Sequence, residues 1–236
     1  MPPTKIGVSE EISAEIVSFA WQDLLPRVAD NTVDMIISSV TASKKRESDF
    51  QVIFGVGYYV THQMLLANQS EYEQSRSLFE NIKNKRIGAV KGTTNERAAY
   101  YLANKCSCGI DIKAEYVELI ESKNALFKKE IDLLLTDDIW VTGQSNLATF
   151  KQYGPELDGF LADFYSTEYG RPREEYAIAF SRKGGDEIME VINDILKSDK
   201  AKLVVESAEA KARSSQVQTI EGTDRSPTAL RARTAN

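Results

Sequence analysis

One histidine, two cysteines and no membrane-length apolar run set the first limits on this 236-residue chain. His62 stands alone in "YYVTHQMLL", an apolar, strand-like run. A Ser-His-Asp or Cys-His site would have to use it, yet a general base needs an orienting partner and a cleft, so His62 reads as a structural or surface residue. Cys106 and Cys108 form a C-x-C pair in "NKCSCGID". Two cysteines make no disulfide framework and structural zinc normally takes four Cys or His ligands, so the pair reads as structural or incidental, with no metal expected. No stretch approaches the roughly 20 apolar residues of a membrane span. The opening "MPPTKIGVSEE" contains no apolar signal-peptide core. A basic excess is missing too: 29 Lys and Arg face 35 Asp and Glu, for a net charge of −6. That balance argues against a nucleic-acid or anionic-membrane binder, which needs a basic surface.

What remains suffices for a core. Hydrophobic residues make up 42% of the chain, enough for one large domain or two small ones. Short apolar runs alternate with helically periodic segments. "AEIVSFAW" (14–21), "TVDMIIS" (32–38), the β-rich 50–67, "RIGAV" (86–90), "DIKAEYVEL" (111–119), "IDLLLTD" (131–137) and "EEYAIAFSRKG" (174–184) read as strands. Between them, "WQDLLPRVAD", "SKKRESDF" capped by Ser43, "NERAAYYLANK" and "SKNALFKKE" read as helical, and 68–85 as partly so. "GDEIMEVINDILK" reads as an amphipathic helix with Ile188, Val191, Ile192, Ile195 and Leu196 on one face. This alternation predicts an α/β fold with mainly parallel sheets. Residues 200–236 are rich in Ala, Ser, Thr and Arg and predict a disordered tail.

Three strands end in residues that could hold a ligand. In "ISSVTASKKRESDF" (37–50), Ser38, Ser39, Thr41 and Ser43 precede Arg46. Ligands sit at the carboxyl ends of strands in open α/β sheets, and hydroxyls with an arginine suit a carboxylate. A polar loop before a capped helix accounts for the same residues. In "AVKGTTNERAAYY", Gly92 permits a tight turn, and Thr93 with Glu96 forms a capping box. The amides of that helix start favour an anion, although capping alone explains the motif. In "IDLLLTDDIW", Asp137 could pair with an ammonium group, or it and Asp138 could cap the next helix. Together the three ends hold the groups needed for a zwitterionic α-amino acid.

In this order the chain resembles the extracytoplasmic solute-binding proteins of family 3, polar amino-acid receptors of ABC importers. The resemblance runs from about Ile16 to Lys197. It rests on "FAWQDLLPRV", "VDMIISSVTASKKRESDF", "GYYVTHQMLL", "KRIGAVKGTTNERAAYYL", "IDLLLTDDIW" and "YAIAFSRKGGDEIMEVINDIL". It implies a two-lobed type II periplasmic-binding-protein-like fold. The first lobe would comprise 1–58 and a return segment 159–199, the second 59–158, with crossings near Gly57–Val60 and Gly154–Asp163. By position, Arg46 would clamp the ligand α-carboxylate, with Ser38, Ser39 and Thr41 beside it. Thr93 and Thr94 would bind that carboxylate from the second lobe, and Asp137 would take the α-ammonium. The lobes would close on the ligand by a hinge motion, and an ABC permease would recognise the closed form. The resemblance implies no catalytic residue, no cofactor, a monomer, and an extracytoplasmic location. Members of the family begin with a signal peptide, then a first strand and helix. None of these precedes "AEIVSFAW", so an N-terminally truncated first lobe is expected, with "KIGV" (5–8) as a substitute strand. A chain that truly started at Met1 would stay in the cytoplasm.

One fold hosts several functions. Cyclohexadienyl and arogenate dehydratases look like this fold, and "GTTNE" is similar to their corresponding turn. Such an enzyme needs a general acid, for which Glu96 is the nearest candidate. A detached sensory domain and a fragment without a ligand are also compatible with these residues.

Overall fold

A computed structural model of the protein describes residues 13–68, 76–142, 150–214 and 228–233. Its strands are β1 (Ser13–Ser18), β2 (Met35–Ile36), β3 (Val52–Thr61), β4 (Gln63–Asn68), β5 (Arg86–Val90), β6 (Asp111–Tyr116), β7 (Leu133–Asp137), β8 (Phe150–Tyr153), β9 (Glu174–Ser181) and β10 (Thr228–Arg233). Its helices are α1 (Leu24–Ala29), α2 (Lys44–Phe50), α3 (Leu78–Ile82), α4 (Thr94–Cys106), α5 (Leu119–Phe127), α6 (Asp138–Thr142), α7 (Pro155–Tyr169), α8 (Asp186–Leu196) and α9 (Asp199–Ser214). They form two five-stranded sheets, ordered β1-β10-β2-β9-β3 and β6-β5-β7-β4-β8. The α/β, two-lobed expectation therefore holds.

The expectation of mainly parallel pairing does not. Among the described residues only β5 pairs in parallel, with β6 and with β7. Parallel neighbours need a long crossover, and α4 and α5 supply it there. In the first sheet every pairing of the described strands is antiparallel. β1, β2 and β3 do run the same way, joined through α1 and α2, but β10 and β9 are interposed between them in the opposite sense. Alternating helices and strands reveal strand direction, not which strand slips in between.

The chain passes between the sheets at His62, the one residue between β3 and β4. That crossing is pinned by Asp138, whose Oδ1 accepts from Thr61 Oγ1 at 2.8 Å and from the His62 amide at 3.2 Å. Beside it, His62 Nδ1 lies 2.8 Å from Asp158 Oδ2, a contact that ties the crossing to α7. The return lies between Tyr169 and Glu174, where Gly170 closes α7 with φ 66°. It does not lie near 154–163, as the resemblance implies, because α7 occupies that stretch. That helix buries Leu157, Leu161, Phe164 and Tyr165 against Leu65, Ile87 and Leu135 of the second sheet. Each such side chain stabilises the fold by about 1.5–3 kcal/mol. The first lobe has its own core, built from Leu24, Val28, Val33, Ile36, Val52 and Ala179.

Three further expectations change. The 200–236 tail is not wholly disordered, since α9 covers its start and β10 lies between β1 and β2. Backbone pairing holds β10 despite its weak apolar pattern. β10 also lies inside the first-lobe sheet, where a missing strand was expected, while "KIGV" (5–8) lies outside the described residues. On α8, Ile188, Ile192 and Leu196 pack on the first lobe, but Val191 and Ile195 are exposed. The packed, half-buried line follows the i, i+4, i+8 row, which turns the other two outward. Cys106 and Cys108 are joined as a disulfide at the end of α4. Among the described residues no group of His, Cys, Asp and Glu could hold a metal, and no helix is long and apolar enough to cross a membrane.

Candidate ligand-binding cleft

The cleft is built from three strand ends and the first residues of β9. After β2 the chain runs beside β9: the Ala42 amide donates to Glu175 O at 2.9 Å, and the Ala177 amide to Val40 O at 3.1 Å. Ser43 then caps α2, its Oγ accepting from the Arg46 amide at 3.2 Å. This cap places Arg46 in the first helical turn, from which it folds inward. Its Nη1 donates to Thr41 O at 2.8 Å, and its guanidinium lies 5.5 Å from the Trp21 ring centroid. Arg46 is only 5% exposed. Burial lowers its pKa, while Glu174 and Asp137 act in the opposite direction.

Asp137 ends β7 on the other side. Its Oδ1 accepts from Asn95 Nδ2 at 2.7 Å, and its Oδ2 accepts from the Tyr176 hydroxyl. Burial raises its pKa, and the Tyr176 and Asn95 hydrogen bonds partly offset that rise. Asn95 also donates to Gln63 Oε1 at 2.9 Å. Glu174 is completely buried at the start of β9. Its Oε2 accepts from Thr41 Oγ1 at 2.8 Å and its Oε1 from Gln63 Nε2 at 2.7 Å, with a further stabilising interaction from the Thr94 hydroxyl. Burial, reinforced by Asp137, pushes the Glu174 carboxyl up to about 7. A cavity of about 410 Å3 adjoins this cluster. Trp21, Leu25, Arg46 and Phe50 line it from the first lobe, Lys91 and Val117 from the second.

Of the residues singled out in the sequence, Thr41, Arg46, Thr94 and Asp137 converge here. Ser38, Ser39 and Thr93 do not join them. Ser38 presents its carbonyl to the Tyr58 hydroxyl, and Ser39 is exposed. Thr93 caps α4, accepting from the Glu96 amide at 3.2 Å and donating to Val90 O at 2.6 Å. Glu96 turns back onto the Gly92 amide at 2.6 Å, within a turn that needs the positive φ of Gly92, 76°. Gln63, Asn95, Glu174 and Tyr176 were missed. One signal was available: Glu174 and Tyr176 are two apart on a strand, so they share a face, and the apolar "AIAF" that follows buries that strand.

The chain matches the sequence model of the bacterial extracellular solute-binding proteins, family 3, over residues 4–211. It belongs to that family. Solved structures agree on the fold of this family 3 protein. An ancestral arginine-binding protein bound to arginine is similar at 22% identity, covering 84% of this chain and 77% of its own, with a TM-score of 0.60. An amino acid ABC transporter substrate-binding protein from Streptococcus pneumoniae Canada MDR_19A, bound to L-arginine, is similar at 18% identity, with 84% and 75% covered and a TM-score of 0.62. An ancestral amino acid-binding protein described as a precursor of cyclohexadienyl dehydratase is similar at 19% identity, with 85% and 75% covered and a TM-score of 0.56. No curated protein matches this family 3 chain. The type II periplasmic-binding-protein fold is thus common to all of them.

Proposed function

We propose that this solute-binding protein captures a polar amino acid between its lobes and presents it to an ABC permease outside the cytoplasm. The observation that carries the reading is the convergence of buried Arg46 with the hydroxyls of Thr41 and Thr94 and the carboxylate of Asp137, beside the cavity that Arg46 lines. A carboxylate suits Arg46 and the hydroxyls, and an ammonium suits Asp137, through charge-assisted hydrogen bonds. Ligand contacts from both lobes would favour the closed form by differential affinity. The protein would act as a monomer without a cofactor. The test is thermal unfolding with each of the twenty amino acids, alongside Arg46→Ala. Ligand at about 100 times its Kd adds roughly 2.7 kcal/mol of stability. A shift with one or a few amino acids, lost in Arg46→Ala, is the expected result; no shift with any of them overturns the reading.

A second reading, a dehydratase, draws support from one group. Glu174 is a buried carboxyl held at about 7, where a general acid works well, whereas Glu96 is engaged in its turn. Consumption of arogenate by the purified protein, abolished in Glu174→Gln, would favour this reading.

A further inference from the structure

We propose that Glu174 determines specificity in this cleft: its carboxylate occupies the hydroxyl socket of Thr41 and Thr94 beside Arg46, so an incoming α-carboxylate must displace it. The inference rests on reading the cleft as an amino-acid site. A hydroxyl has one proton to donate, and that of Thr41 already goes to Glu174 Oε2 at 2.8 Å. The Gln63 amide is directed at Oε1 at 2.7 Å. The ammonium side is filled in the same way, since the Tyr176 hydroxyl donates to Asp137 where an ammonium proton would. Both occupants come from β9 and lie two residues apart, on one face of the strand. One strand thus imitates both ends of a zwitterion.

Charge makes Glu174 the stronger competitor. With both acids ionised, a ligand carboxylate would meet the Glu174 carboxylate at the same hydroxyls, beside Arg46 and with Arg97 paired to Glu168. Protonated Glu174 removes that repulsion and yields the Thr41 and Thr94 hydroxyls. The groups around it are Arg46 on α2, Asp137 on β7, Tyr165 and Tyr169 on α7, Tyr176 on its own strand, and Arg97 on α4, which acts on Arg46 and Tyr169 and is paired with Glu168. Burial raises the pKa of all three tyrosines, leaving them neutral near pH 7. Glu174 titrates at about 7, so the fraction competent to bind an α-carboxylate falls as pH rises through that value.

Calorimetric titration of the wild type, Glu174→Ala and Glu174→Gln with the twenty amino acids at pH 6 and pH 8 tests this. The expected result is a wild-type Kd weaker at pH 8 than at pH 6 by about ten-fold, following the protonated fraction. At pH 8 Glu174→Ala should bind about ten-fold more tightly than the wild type, and neither variant should keep the pH dependence. The wild-type pH profile serves as the test should Glu174→Ala not fold. Amines lacking the α-carboxyl group should bind the wild type with no loss at pH 8. Amino-acid binding to the wild type that is insensitive to pH, or unchanged or weakened in both variants, overturns this inference alone. Binding of no amino acid by any of the three proteins overturns it together with the amino-acid reading.

Discussion

Ser43 and Arg46 show how one local contact prepares a charged side chain for the cleft. The Ser43 cap satisfies the Arg46 amide and fixes where α2 begins. Ser43→Ala should cost about 1 kcal/mol of stability, measurable by urea unfolding. Glu174 has a larger signature. Its folded pKa of about 7 lies above the ordinary 4.5, so it contributes stability fully present below pH 4.5 and lost as pH rises through 7. Glu174→Gln should flatten the fall in unfolding free energy over that window by roughly 3 kcal/mol relative to the wild type. Identical pH profiles for the two proteins would mean that Glu174 is not buried as a free acid. Arg46 and Asp137 were legible in the sequence because each follows an apolar strand, where a charge stands out. Asn95 and Gln63 were not, because a polar residue inside a helix or strand reads as its solvent face until a second sheet covers it.

At the level of elements, strong apolar periodicity made most strands and helices legible, and misreadings arose where pairing is non-local. β10 is the clearest case: nothing in "TALRAR" marks it as an interior strand, and its place follows only from β1 and β2 lying on either side. β7 was legible from its own residues, whereas the sense of the first sheet depended on β9 and β10 arriving from far along the chain. Ending the chain at Ser214 would remove the backbone partner that β1 pairs with at all six of its residues, Ser13 to Ser18. Unpaired strand groups are costly, so hydrogen exchange should show protection lost at 13–18, while 35–36 keep β9 as a partner. Residues 86–90 and 133–137, in the other sheet, should keep theirs. Uniform protection in both sheets would mean that β10 does not support the first lobe.

Across the whole molecule, the two sheets are tied at the cleft by Gln63 to Glu174 and by Asp137 to Tyr176, with each tie ending on β9. The crossing at His62 is held by Asp138, and on the proposed hinge motion these polar ties would set how far the lobes separate. A hydrogen bond to a charged group contributes about 1.5–3 kcal/mol. Tyr176→Phe removes one such bond and keeps the ring, while Asn95 still satisfies Asp137. The loss should shift the population toward the open form by roughly ten-fold or more, because each 1.4 kcal/mol changes an equilibrium ten-fold. Small-angle scattering should then report a larger radius of gyration for Tyr176→Phe than for the wild type without ligand. Adding the amino acid found in the unfolding screen should bring both proteins to the same compact value, since a ligand ammonium on Asp137 replaces what the tyrosine supplied. A radius of gyration identical in both proteins, with and without ligand, would mean that these ties do not set the lobe equilibrium and that closure is governed elsewhere.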